Sequence, residues 1–279
     1  MIPILYAGNR RMFDGLLISV VSAASHSSEP LDVTLLTMDL REVCPDYLPL
    51  TESQRQYLER LCQKRCPGSR VTLLDVGEYY RAELGASPNA GTGYTPYCFL
   101  RLFADRLPLP DKVLYLDADT VIAGDLLPLY QTDVEGAEYA AVLDHYGRWF
   151  MGYHYINSGV MLLNLREIRK TGLFRRAVEL CAGRRLFLPD QTALHRLTRK
   201  KILLPVRYNE QKHYDRPDTV IQHFCKTILW LPVFHTRTVK PWETERVHHI
   251  LTDRYDAVLK EYLDNKKGYE ECCADERYA

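Results

Sequence analysis

The sequence predicts an α/β fold, a mixed and mostly parallel central sheet flanked by helices. Three observations predict it. Strand and helix patterns alternate through the first 75 residues. A chain of 279 residues, 46% hydrophobic, can bury the core of one large domain. A pair of aspartates, Asp117 and Asp119, stands where an apolar strand runs out, and sheets of this class bind ligands beyond the C-terminal ends of their strands.

The elements follow in order. Ile4 to Ala7 is a short apolar strand, and Met12, Leu16, Leu17, Val20, Val21 and Ala24 mark one face of a helix. Val33 to Met38 is a second strand. Thr51-Glu52-Ser53-Gln54 reads as a capping box opening a helix that carries Tyr57, Leu58, Leu61 and Cys62. Val71 to Leu74 completes a β-α-β-α-β pattern, which predicts parallel strands with helices on both faces. Residues 85–96, rich in Gly, Ala, Pro, Asn and Thr, predict an exposed loop of lid-like composition. Tyr97 to Leu107 predicts a helix and Val113 to Leu116 a buried strand. Tyr139 to Leu143, Gly159 to Leu163 and Ile202 to Val206 predict further strands, and Asn164 can cap a helix reaching about Ala182. Tyr255, Val258, Leu259, Tyr262 and Leu263 form a helical stripe. The expected organisation is a catalytic domain over 1–246 and a helical tail over 247–279.

Composition narrows the function. Thirty-six basic and 36 acidic residues give zero formal net charge, so there is no global pull toward nucleic acid, and no nucleic-acid partner is expected. The start of the chain lacks a signal-peptide pattern, and no run approaches the roughly 20 apolar residues of a membrane span. The expectation is a cytoplasmic protein. Lys266, Lys267 and Tyr269 are compatible with peripheral contact at the inner membrane face, but Glu270, Glu271, Asp275 and Glu276 oppose it, and a solvated tail is expected. The eight cysteines form no C-x-x-C pair and read as free thiols. Oligomeric state leaves no signal.

Asp111 to Asp119 reads Asp-Lys-Val-Leu-Tyr-Leu-Asp-Ala-Asp. Carboxylates as close as Asp117 and Asp119 repel unless a cation lies between them. A hard divalent ion, Mn²⁺ or Mg²⁺, with a phosphate as cargo, suits them. A lone Asp-x-Asp is more often a polar turn, so four further sites carry weight. His235, followed by Lys240-Pro241-Trp242, offers an imidazole that shifts the choice toward Mn²⁺ and an ammonium suited to phosphate. Asn157, before Ser158-Gly159, offers both donor and acceptor to a sugar hydroxyl. Asp190 and Gln191 follow Pro189 at a helix start, and Asp144 ends another apolar strand.

Arg101-Leu102, Lys112 to Asp119, Asn157 to Leu165, Asp190-Gln191 and His235 with Lys240-Pro241-Trp242 together resemble the retaining glycosyltransferases of family 8. That family includes glycogenin and the bacterial lipopolysaccharide galactosyl- and glucosyltransferases. The resemblance covers roughly residues 1–245. It implies a GT-A nucleotide-diphospho-sugar transferase fold and Mn²⁺, with Mg²⁺ as the alternative, held by Asp117, Asp119 and His235. It implies UDP-galactose or UDP-glucose as donor and a glycan or glycolipid acceptor in bacterial cell-surface synthesis. Tyr6, Ala7, Gly8 and Asn9 match the uridine-binding strand end, Ala118 lies near the ribose, and Lys240 matches the diphosphate lysine. Arg101, Asp144, Asn157, Asp190 and Gln191 match positions that grip the donor sugar, with Gln191 and Asp190 nearest the chemistry.

The chain departs from the family at three places. Asn9-Arg10-Arg11-Met12 replaces acidic residues and a Tyr, so the stacking aromatic is either missing or replaced by Phe13. Thr192 stands where a second Asp is frequent, and the His235-to-Lys240 spacing is short. Two other readings stay open on the residues: a UDP-sugar-binding protein that has lost turnover, and a haloacid-dehalogenase-type phosphohydrolase with Asp117 as nucleophile.

Overall fold

Four strands make the parallel half of the sheet. The computed structural model describes residues 1–90, 95–229 and 235–275. Phe234, residues 91–94 of the expected loop and Glu276 lie outside them. β1 (Ile2–Ala7), β2 (Leu31–Thr37), β3 (Arg70–Asp75) and β4 (Lys112–Leu116) lie parallel in the order β3-β2-β1-β4. β1, β2 and β4 are apolar runs buried on both faces, while β3 lies at the edge with Val71 as its buried residue. α1 (Phe13–His26), α2 (Glu52–Arg65) and α3 (Gly77–Leu84) fall between them. A tightly wound helix, Pro96–Arg106, occupies the stretch expected to be helical. α2 opens on the expected capping box: Thr51 accepts from the Gln54 amide, and Gln54 returns a bond to Thr51.

Beyond β4 the chain forms β5 (Thr120–Ile122), α4 (Leu127–Tyr130), β6 (Tyr139–Leu143), α5 (Gly147–Phe150) and β7 (Ile156–Asn164). Then come α6 (Leu165–Thr171), α7 (Leu173–Gly183), α8 (Pro189–Leu197) and β8 (Lys201–Leu203). β7 runs antiparallel to both β4 and β6, and β8 parallel to β6, so a seven-stranded mixed sheet results. One helix was expected from Asn164 to about Ala182. Asn164 does cap α6, but Gly172, at φ 66°, breaks the run before α7.

Strand alternation divides the core. Ile2, Ile4, Tyr6, Leu114 and Leu116 face α1, while Leu5, Leu36, Val113 and Tyr115 face the 96–106 helix and α7. The loop expected to be exposed is partly pinned: buried Asn89 donates to the Cys181 and Arg184 carbonyls at 2.7 Å, capping the end of α7.

Two short antiparallel pairs are absent from the sequence-based expectation. β5 pairs with β9 (Ile221–His223), and β10 (Thr227–Leu229) forms a hairpin with β11 (His235–Arg237). The chain ends its described part with α9 (Thr244–Arg246) and α10 (Asp256–Asp275). The tail expected to be solvated is docked: Tyr255, Leu259 and Tyr262 are buried, and Tyr269 packs on Phe13 and Tyr57, ring centroids 4.7 and 5.1 Å away. The apolar stripe that made it helical also gives it a face to bury. Among the described residues no helix is long and apolar enough to cross a membrane.

Candidate functional site

β4 ends at Leu116, and the next three residues turn across the C-terminal edge of the sheet. The Asp117 amide still bonds back to the Gly159 carbonyl of β7 at 2.7 Å, which fixes the turn. Asp119 leads into β5, and β9, paired with β5, brings His223 alongside. Asp117, Asp119 and His223 each offer a ligand atom, all within 4.8 Å of one another. His223 Nε2 is 3.2 Å from Asp119 Oδ1 and 3.9 Å from Asp117 Oδ2. Two carboxylates and an imidazole suit Mn²⁺, with Mg²⁺ the harder alternative.

The third member is therefore His223, where the sequence analysis chose His235. His235 stands exposed at the start of β11, on the hairpin between His223 and Lys240. Lys240 itself is brought to the cluster. Its ammonium forms an ion pair with Asp119 Oδ2 and lies 3.3 Å from the Phe224 carbonyl. Gly159 and Gly15 make room for the cluster. A Cβ on Gly159 would lie 2.2 Å from His223 Cε1 and 2.8 Å from Asp117 Oδ2. On Gly15 it would lie 2.5 Å from the Ala118 carbonyl oxygen and 2.8 Å from the Trp242 ring.

A buried hydrogen-bond network fixes each side chain. The Gly159 amide donates to Asn157 Oδ1 (3.0 Å), so the Asn157 amino group points to Asp144 Oδ2 (3.1 Å). Asn209 donates to the same Asn157 Oδ1 (2.9 Å) and turns its own oxygen to His223 Nδ1 (3.1 Å). That oxygen needs a proton on Nδ1, which leaves the Nε2 lone pair facing the carboxylates, as a metal ligand requires. Gln191 Oε1 accepts from the Ser158 amide (2.9 Å), and its amino group donates to Asp144 Oδ2 (3.2 Å). Asp144 Oδ1 accepts from the Tyr146 and Gly147 amides.

Arg101 ties the two halves together. It donates to Asp117 Oδ1 (2.9 Å), bonds the Ser158 carbonyl, lies 3.5 Å from Asp190 and stacks 4.0 Å over the Tyr115 ring. Tyr115 also donates to Asp117 Oδ1 (2.7 Å), so Oδ2 is the oxygen left toward His223.

Titration follows from burial and charge. Burial pushes the Asp119 pKa up, but Lys240 and His223 outweigh it and hold the carboxyl well below its ordinary value. Burial lowers the Lys240 and His223 pKa values, and Asp119 more than restores both, so both end raised. For Asp190 burial prevails over Arg101, and its pKa is raised.

The model of glycosyl transferase family 8 matches residues 3–245. The chain belongs to that family. It is 30% identical over 164 residues to lipopolysaccharide 1,2-glucosyltransferase of Escherichia coli (strain K12), covering 52% of this chain and 48% of that protein. It is 36% identical over 81 residues to glycosyltransferase GlyA of Streptococcus pneumoniae, covering 29% of this chain and 12% of that protein. The matched region thus spans less than half of either relative. The galactosyltransferase LgtC, solved with donor and acceptor sugar analogs, superposes with a TM-score of 0.69 at 20% identity over 93% of this chain and 96% of that one. Glycosyltransferase GlyE of Streptococcus pneumoniae superposes with a TM-score of 0.60 at 20% identity, covering 95% and 65%. These likenesses establish the GT-A fold. Family membership removes the phosphohydrolase alternative.

The residues expected from the sequence to line the uridine divide in the structure. Ala7 and Gly8 lie at the end of β1, and the Gly8 amide bonds the Leu36 carbonyl at 3.0 Å. The Tyr6 side chain points into the core, its hydroxyl 2.9 Å from Ser19 Oγ, so at the site Tyr6 offers backbone alone. Asn9 is buried and caps the turn at Arg10–Met12. Phe13, the candidate stacking aromatic, is buried against Tyr269. Three residues that sequence reasoning missed, His223, Asn209 and Ser158, complete the cluster. The only signal for His223 was a short strand, Ile221 to His223, ending on a histidine as β4 ends beside an aspartate.

Proposed function

We propose that the protein is a retaining glycosyltransferase that moves a hexose, galactose or glucose, from a UDP-sugar to a hydroxyl of a glycan or glycolipid in bacterial cell-surface synthesis. The observation that carries this reading is the cluster of Asp117, Asp119 and His223 with Lys240 ion-paired to Asp119. In it, Mn²⁺ held by Asp117, Asp119 and His223 would supply Lewis-acid stabilisation of the UDP leaving group. Lys240, an ammonium on a flexible stem, would pass from Asp119 to the diphosphate and add a second positive charge there.

On the sugar side, Asp144, Asn157, Asp190 and Gln191 would hold the hexose hydroxyls, with Arg101 fixing Asp117 and Asp190 in place. Gln191 is a poor nucleophile, and its oxygen already accepts from the Ser158 amide. Retention is therefore assigned to attack from the leaving-group face, with a departing phosphate oxygen taking the acceptor proton. The uridine would lie along Ala7, Gly8 and Asn9, with the ribose near Ala118.

The test is a hydrolysis screen of UDP-galactose, UDP-glucose and other nucleotide sugars with and without Mn²⁺. Metal-dependent release of UDP from one hexose donor supports the reading. No release from any donor, together with no metal-dependent UDP binding, overturns it.

A further inference from the structure

Four aromatic side chains stand out of the surface beside the donor-sugar residues. Trp149, Phe150 and Tyr153 are 71, 67 and 72% exposed, and Phe187 is 65% exposed. Side chains of this size contribute most when buried, and monomer surfaces rarely gather them. They come from two segments, 145–155, which carries α5 between β6 and β7, and 182–189, which runs from the last two residues of α7 to the first residue of α8.

The structure ties the segments together. The Tyr155 hydroxyl lies 2.8 Å from Thr192 Oγ1, which itself bonds the Phe187 carbonyl. The Tyr155 ring packs on His195 at 4.9 Å, and Gly152 lies over the same imidazole. The first segment starts directly after Asp144, whose carboxylate fixes its opening turn, and the second leads into Asp190. The aromatic face therefore borders the pocket assigned to the donor sugar.

Its charge is one-sided. The two segments hold Arg148, Arg184 and Arg185 and not one Asp or Glu, in a chain whose acids and bases are equal in number. The Arg148 guanidinium lies 5.2 Å over the Trp149 ring. Amphipathic rings with an arginine rim fit the headgroup layer of an anionic bilayer, rings at the interface and guanidinium groups on lipid phosphates.

We infer that this face docks on an anionic membrane surface, which would bring a lipid-borne acceptor to the site. The acceptor clause rests on the function proposed above, and the docking itself does not. The test is sedimentation of the full chain with vesicles of phosphatidylcholine alone or with one part in about three of phosphatidylglycerol, with tryptophan emission followed in parallel in the wild type and in Trp149→Phe, whose difference reports Trp149. Binding is expected to the anionic vesicles and to be weak on the neutral ones. Trp149→Ser with Phe150→Ser should lower partitioning at least about tenfold, and Arg184→Gln with Arg185→Gln by about fivefold per arginine. Both variants should keep the wild-type melting temperature and any UDP-sugar hydrolysis in solution. No sedimentation with anionic vesicles, or equal sedimentation of wild type and both variants, overturns the inference. So does capture of a soluble oligosaccharide that the same variants abolish. A wild type that binds vesicles but neither hydrolyses a donor nor binds UDP in a metal-dependent way would sink only the functional proposal.

Discussion

The imidazole of His223 occupies the space that a side chain on Gly159 would fill, 2.2 Å from a Cβ built there. β7 thus contributes to the cluster by a missing atom. Gly159→Ala must push the ring away from Asp117 and Asp119 or shift the strand. Overpacking of this kind costs about 1–3 kcal/mol. The variant is expected to fold with a lowered melting temperature and to bind Mn²⁺ at least about tenfold more weakly. Titration against a competing chelator measures this, and wild-type affinity would show that the strand gives way in place of the His223 ring or that His223 is not a ligand.

Asn209 touches neither carboxylate in the network described, yet its oxygen sets which nitrogen of His223 carries the proton. Asn209→Leu removes that acceptor at similar volume. Loss of such a partner typically weakens metal binding by about 10–100-fold. The expected result is a drop in that range. Donor hydrolysis should recover in part at saturating Mn²⁺. An unchanged metal affinity would remove the relay from Asn157 through Asn209 to His223.

The sequence revealed the fold where periodicity was undisturbed. β1 to β4, the Thr51 capping box and the strands at 139 and 159 all stand close to where their patterns put them, because local pattern and burial agree there. Within the site, Asp117, Asp119, Asn157, Asp190, Gln191 and Lys240 were legible as motifs, and the structure gathers them. His223 was not legible. It depends on β5 and β9, three residues each, too short for periodicity to register. The β10–β11 hairpin then separates it from Lys240, which made His235 look like the partner. Between a missing stacking aromatic and Phe13 the sequence could not choose, because the place of Phe13 in the core depends on α10, more than two hundred residues later in the chain.

The cluster should couple metal loading to pH. Without metal, burial lowers the His223 pKa, but Asp119 and then Asp117 raise it above its ordinary value of 6.5. A pKa raised on folding contributes stability that is fully present below the unfolded value and is lost as pH rises through the folded one. The chelator-treated chain should therefore lose melting temperature as pH rises from 6.5 through the raised value. Mn²⁺ needs the unprotonated ring, so the stabilisation it adds should grow across the same window. Asp119 stays ionised throughout and adds no slope there. His223→Gln should flatten both curves; unaltered slopes in that variant would assign the titration elsewhere.

The division at Arg246 can be tested through α10. Its polar ties include a 2.6 Å hydrogen bond from the Tyr57 hydroxyl to the Asn265 carbonyl, an ion pair between Arg65 and Glu261, a 3.0 Å contact between Lys266 and Asp14 and a 2.7 Å contact between His248 and Asp256, the last three partly exposed. Pairs of that kind contribute about 0–1 kcal/mol each. Tyr255, Leu259 and Tyr262 are instead buried against the face that carries α1, and each fully buried side chain contributes about 1.5–3 kcal/mol. Their sum is comparable with the roughly 5–15 kcal/mol that separates folded from unfolded chains. Apolar burial therefore holds the helix, and Leu259→Ala should cost about 2–5 kcal/mol in urea unfolding while Lys266→Ala costs under about 1 kcal/mol. A chain cut after Arg246 is expected to aggregate or to melt far below the full chain, because Phe13 and Tyr57 lose Tyr269 as a packing partner. If the cut chain instead melts with the full one, residues 1–246 are an independent domain and α10 is an appendage.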